Sequence, residues 1–152
     1  SRWTAGILFG KSFDEVEDID ENKRKKYLAP ISVINLKKTP GGAESDDEII
    51  AKFARDDKEN IKKELELYDP DIVICCGTGN IFAKEILERS NSEWTQVSKD
   101  FLYIWDNNRL IIKTWHPQQR AKGRGKEYMY EKIAPLIRNI IRDVGAYNGY
   151  RC

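Results

Sequence analysis

Residues 71–80 read Asp-Ile-Val-Ile-Cys-Cys-Gly-Thr-Gly-Asn. After Asp71 come five residues without a charge or a polar break. A strand with one wet face alternates apolar and polar residues. An unbroken apolar run suits a sheet covered on both faces, as parallel sheets are. Asp69-Pro70 stops whatever precedes it, and Gly77-Thr78-Gly79-Asn80 turns the chain into a segment carrying Ile81, Phe82, Ile86 and Leu87 at helical spacing. A helix, a buried strand, a glycine turn and a second helix are expected here.

Upstream, Ser45-Asp46-Asp47-Glu48 has the form of a capping box: Ser45 accepts from the Glu48 amide while Glu48 reaches back. Ile49, Ile50, Phe53, Ile61, Leu65 and Tyr68 then share roughly one helical face. Residues 31–36, Ile-Ser-Val-Ile-Asn-Leu, are rich in β-branched side chains and read as a strand. Residues 12–28 are densely charged, acidic first and basic last, as a helix dipole favours. Their thin apolar stripe (Val16, Ile19, Tyr27) makes them a solvated helix face rather than a binding segment.

Downstream, residues 101–105 and 109–114 flank the turn signal Asp106-Asn107-Asn108 and form an expected hairpin. Residues 94–99 read equally as strand or loop. A last helix is expected over about 127–144, with Ile133, Leu136, Ile137, Ile140, Ile141 and Val144 at helical spacing, kinked or split by Pro135. Alternating strands and helices give the class α/β: a mainly parallel central sheet between helix layers, in one domain over residues 1–152.

Composition narrows the function classes. The chain has 26 basic and 25 acidic residues for a net charge of +1, which excludes a globally basic nucleic-acid binder but not a local basic face. Three cysteines, two of them adjacent, form neither a disulfide ladder nor a C-x-x-C pair, and one histidine is too few for an ordinary zinc site. No metal or cofactor is expected. The compartment is expected to be reducing and cytoplasmic. No apolar run is long enough to span a bilayer.

Three features fall at strand ends, where ligands bind in open α/β sheets: Asn35, the Gly77 turn and His116. His116 is the single histidine and precedes Pro117, which holds it extended as the 109–114 strand ends. Arg120, Lys122, Arg124 and Lys126 follow, interleaved with Gly123 and Gly125, and suit an anionic ligand. Gly77-x-Gly79 resembles half of a dinucleotide fingerprint but has Phe82 at the third glycine position, so a simple strand-to-helix turn explains it better. Cys75 and Cys76 sit inside a buried strand and read as inert core.

The order and spacing of three of these pieces resemble the uracil-DNA glycosylase superfamily. The segment VINLKKTPGG is similar to that family's asparagine-ending strand and loop. Residues 68–77 resemble its helix, proline, apolar strand and glycine, and TWHPQQR its final His-Pro motif. The likeness runs over about residues 31–141. It implies a uracil-DNA glycosylase-like three-layer sandwich and a hydrolase that cleaves the N-glycosidic bond of an extruded uracil or modified base, in DNA repair. By the same resemblance Asn35 would read the base edge beside Gly77, and His116 would donate to the base carbonyl as charge develops there. Gln118, Arg120, Lys122, Arg124 and Lys126, with Lys37 and Lys38, would contact the backbone of DNA that is single-stranded or carries a modified base. Residues 1–30 contain nothing similar to the family's first, water-positioning motif, so the chain is expected to lack an N-terminal segment of the domain. The competing reading is a non-catalytic nucleotide- or nucleic-acid-binding module of the same fold.

Overall fold

The computed structural model describes residues 2–38, 46–98, 101–106, 109–115, 130–131 and 134–143. The chain divides into two compact units, residues 33–117 and residues 1–32 with 118–152. No helix among the described residues is long and apolar enough to cross a membrane.

In residues 33–117 the first helices are α4 (Asp47–Asp56) and α5 (Lys58–Tyr68), counting from the amino end of the chain. The single helix expected here breaks at Asp57, whose φ of −105° and ψ of 13° leave the helical region. Asp46 caps α4, its Oδ1 accepting from the Glu48 and Ile49 amides at 2.8 and 3.4 Å. This is the expected cap moved by one residue; Ser45 itself lies outside the described residues. Asp69, with φ +38°, ends α5 in the left-handed conformation one residue before Pro70.

β1 (Ile72–Cys76) follows, then a short helical turn α6 (Gly79–Ile81) that widens into a π-helical turn at Phe82–Ile86. β2 (Thr95–Ser98), β3 (Phe101–Asp106) and β4 (Arg109–Thr114) complete a four-stranded sheet in the order β1-β4-β3-β2. The hairpin forms as expected, with Asp106 opposite Arg109. The protein is therefore α/β, and its sheet is mixed: β1 and β4 run parallel, Ile72 beside Leu110 through Cys76 beside Thr114, while β2, β3 and β4 form an antiparallel meander. The chain leaves β1, crosses to the far edge at β2, and winds back to lie beside β1. Residues 31–36 differ from expectation: they make no strand ladder. β1 is also less enclosed than its composition suggests, because it stands at an edge of the sheet formed by the described residues; within it only Cys75 is buried and its neighbours are half-buried. The core of this unit joins Leu36, Ala54, Ile61, Leu65, Cys75, Phe82, Ile86, Trp94, Ile104 and Ile111.

The other unit holds α1 (Arg2–Phe9), α2 (Phe13–Glu17), α3 (Glu21–Leu28) and α7 (Ala134–Asp143), with α1 packed against α7. The charged run expected as one helix is two. Ser12 and Glu15 form a capping box at α2, and Asp20 caps α3 by accepting from the Lys23 amide at 2.8 Å. Ala5, Val16, Tyr27 and Tyr130 make its core, and the Tyr130 hydroxyl donates to the Lys11 carbonyl at 2.7 Å. Pro135 is the second residue of α7, and residues 132–133 just before the helix, on which the expected kink or split depends, lie outside the described residues. Most of the expected earlier part of that helix, residues 127–129 and 132–133, lies outside the described residues.

Candidate functional site

The carboxyl ends of β1 and β4 form a polar corner in the 33–117 unit. Parallel pairing brings Cys76 beside Thr114, and the two strands are pinned one step later: the Gly77 amide donates to the Thr114 carbonyl at 2.8 Å. Gly77 has φ +81°, a conformation in which a side chain is strained. Gly79 is buried beneath Lys113; an added Cβ would stand 2.6 Å from Lys113 Cγ. The close approach lets Lys113 Nζ donate to Asn80 Oδ1 at 2.6 Å while lying 5.8 Å from the centre of the Trp94 ring. The two glycines thus have two separate tasks. Gly77 makes the turn, and Gly79 makes room.

Two polar atoms at this corner have no hydrogen-bond partner among the described residues: Thr114 Oγ1, on a residue 3% exposed, and Trp94 Nε1, on a residue 8% exposed. They belong to opposite sides of the sheet, since Thr114 and Lys113 are successive strand residues and Lys113 faces Trp94. Cys75 and Cys76 offer no nucleophile. Burial pushes the Cys75 thiol up to about 12 and raises that of Cys76 as well, so both stay protonated at neutral pH. α6 runs on into the π-helical turn, and its Thr78 cap makes no side-chain hydrogen bond.

Of the expected site residues, Gly77 stands at the corner itself. Asn35 is exposed between half-buried Ile34 and buried Leu36. Lys37 places its ammonium 5.4 Å from the centre of the Phe53 ring, and Lys38 donates to both carboxylate oxygens of Glu64 at 2.8 Å. Both lysine charges are thereby engaged within the unit. His116, Gln118, Arg120, Lys122, Arg124 and Lys126 lie outside the described residues; β4 leads toward them through half-buried Trp115.

Lys113, Asn80, Trp94 and Thr114 escaped the sequence reading. Lys113 carried a faint signal, as the one charge inside the Leu110–Thr114 apolar run. Its partner Asn80 lies 33 residues away and nothing in the sequence links them. Elsewhere in the unit an open cleft of about 500 Å³ lies between α4 and the π-helical turn, floored by Arg55 and Glu85. Glu85, 8% exposed, is paired with Arg55 at 2.9 Å, so the buried charge there is already compensated.

No family model matches the chain, and neither a curated protein nor a solved structure matches it.

Proposed function

We propose that the protein is a DNA glycosylase-like hydrolase that cleaves the N-glycosidic bond of an extruded uracil or modified base, within a three-layer sandwich of the uracil-DNA glycosylase kind. The observation that carries this reading is the parallel pairing of β1 with β4. It makes one corner from the Gly77 turn and the strand end that leads, two residues after Thr114, to His116 in sequence. An α/β sheet holds its ligand outside the carboxyl ends of such strands.

In this reading His116 donates a hydrogen bond to the base carbonyl as the glycosidic bond lengthens and negative charge gathers on the leaving base. That interaction is stronger in the transition state than in the bound substrate, which is the condition for accelerating the reaction. Asn35 pairs its amide donor and acceptor with the edge of the extruded base. Arg120, Lys122, Arg124 and Lys126 neutralise phosphates around it, and Gln118 adds a neutral contact. A near-neutral chain needs such local charge to hold DNA. A cytoplasmic, reducing setting agrees with Cys75 and Cys76 being free thiols.

The test is an abasic-site assay on single- and double-stranded oligonucleotides carrying uracil and other modified bases. Heat- and alkali-labile abasic sites produced by the protein, and abolished in His116→Ala, are the expected result. Binding of the same oligonucleotides without any base release would replace the enzyme with a binding module.

A further inference from the structure

β1 forms one edge of the described sheet, and no strand among the described residues pairs with its outer side. In a parallel pair, alternate residues bond across the ladder. The Asp71 carbonyl accepts from the Leu110 amide at 2.9 Å and the Gly77 amide donates to Thr114, so Val73 and Cys75 bond on that same side. Ile72, Ile74 and Cys76 therefore turn their N–H and C=O groups outward. What meets them there is the weak approach of the Cys76 thiol to the Ile74 carbonyl at 3.9 Å. An apolar edge with no lysine, proline or bulge is a template for another strand.

Residues 33–37 have the matching shape in the same unit. Val33 and Asn35 are exposed, Ile34 is half-buried and Leu36 is buried, the period-two alternation of a strand with one wet face. Yet no backbone ladder holds this segment. Val33, at 80% exposure, is a β-branched residue left almost wholly in water. Ile34 and Leu36 pack into the same apolar cluster as Val73 and Cys75. A pairing that sets the two segments side by side can keep all four side chains on the core they already share. The connection between them runs through α4 and α5, a crossover of the length that parallel neighbours need.

We propose that residues 33–37 are a strap that closes in solution onto the outer edge of β1 as a fifth, parallel strand. Closure satisfies the backbone groups of Ile74 and Cys76. It turns Asn35 to the face of Ile74 and Cys76, opposite the Leu36 anchor, and so brings its amide toward the corner at Gly77. The inference does not depend on glycosylase activity, and a closed strap in an inactive protein leaves it standing.

Amide hydrogen exchange and amide–amide nuclear Overhauser effects on isotope-labelled protein, at two well-separated concentrations, test it. The expected result is exchange at Ile74 and Cys76 slowed to the level of Val73 and Cys75, cross-peaks from these amides to residues 33–37, and no change on dilution. Rapid exchange at Ile74 and Cys76 would overturn the strap by leaving the edge open. Protection that disappears on dilution would also overturn it, by assigning the edge to a second copy of the chain. So would protection with cross-peaks to another segment.

Discussion

The Gly77 amide and the Thr114 carbonyl meet at 2.8 Å one step beyond the last strand pair, Cys76 beside Thr114. This bond extends the β1–β4 ladder past the end of β1 and into the turn. It fixes where the chain leaves each strand, so any site built at these strand ends inherits its precision.

Substitution at the two glycines separates their tasks. Gly77→Ala forces a side chain into φ +81° and should cost about 1–2 kcal/mol. Gly79→Ala drives a methyl against Lys113 Cβ and Cγ, the inflexible part of that side chain, and should cost about 1–3 kcal/mol by overpacking. Adding Lys113→Ala should recover part of the Gly79→Ala loss and none of the Gly77→Ala loss. Urea unfolding of the two single variants and the two doubles measures this.

Much of this corner was readable from composition and some was not. The run Ile72 to Cys76 announced a strand because nothing in it could face water comfortably, and the hairpin followed from two apolar runs around Asp106-Asn107-Asn108. β2 was ambiguous because Thr95, Gln96 and Ser98 are polar residues on a sheet edge, where no apolar period is required. Helix breaks at Asp57 and at Asp18–Asp20 were hidden by charge patterns compatible with continuous helices, since aspartates cap as readily as they decorate a helix face. The parallel partner of β1 was out of reach, because strand order rests on residues distant in sequence. The same holds for Lys113 on Asn80.

Acid should weaken the 1–32 and 118–152 unit at α2. The Lys11 ammonium first, and the Ser12 amide second, hold the Glu15 carboxyl down at about 2 against its ordinary 4.5. A depressed carboxyl contributes stability above its unfolded value that is lost as pH falls, here between about 4.5 and 2. Tyr130 acts at the other limb: burial raises its hydroxyl to about 12 from 10, so its contribution is whole below 10 and lost as pH rises toward 12. Helicity followed by circular dichroism across pH should show both limbs. Glu15→Gln should flatten the acid limb, and Tyr130→Phe the alkaline one.

Thiol chemistry should distinguish the native from the unfolded chain. Cys75, buried and with its thiol near 12, should resist iodoacetamide at neutral pH, and Cys76 should react more slowly than a free thiol. Site-resolved mass spectrometry of native and urea-unfolded protein compares the rates. Equal labelling of Cys75 in both conditions would contradict its place in the core.

Nucleic-acid affinity should be carried by a small number of side chains. Replacing Arg120, Lys122, Arg124 and Lys126 with alanine should flatten the dependence of log K on log salt, by about 0.7 for each phosphate of a single strand that is no longer neutralised. Filter binding across a salt series checks this. An unchanged slope would move the DNA-binding surface elsewhere.

Single-turnover base release by His116→Ala, measured beside its melting curve and DNA affinity, tests the glycosylase proposal. The expected result is an unaltered melting temperature, most of the affinity retained, and cleavage slowed by about a hundred- to a thousandfold, or roughly 3–4 kcal/mol, because one transition-state donor is gone. Base release near the wild-type rate by a folded His116→Ala protein would contradict it.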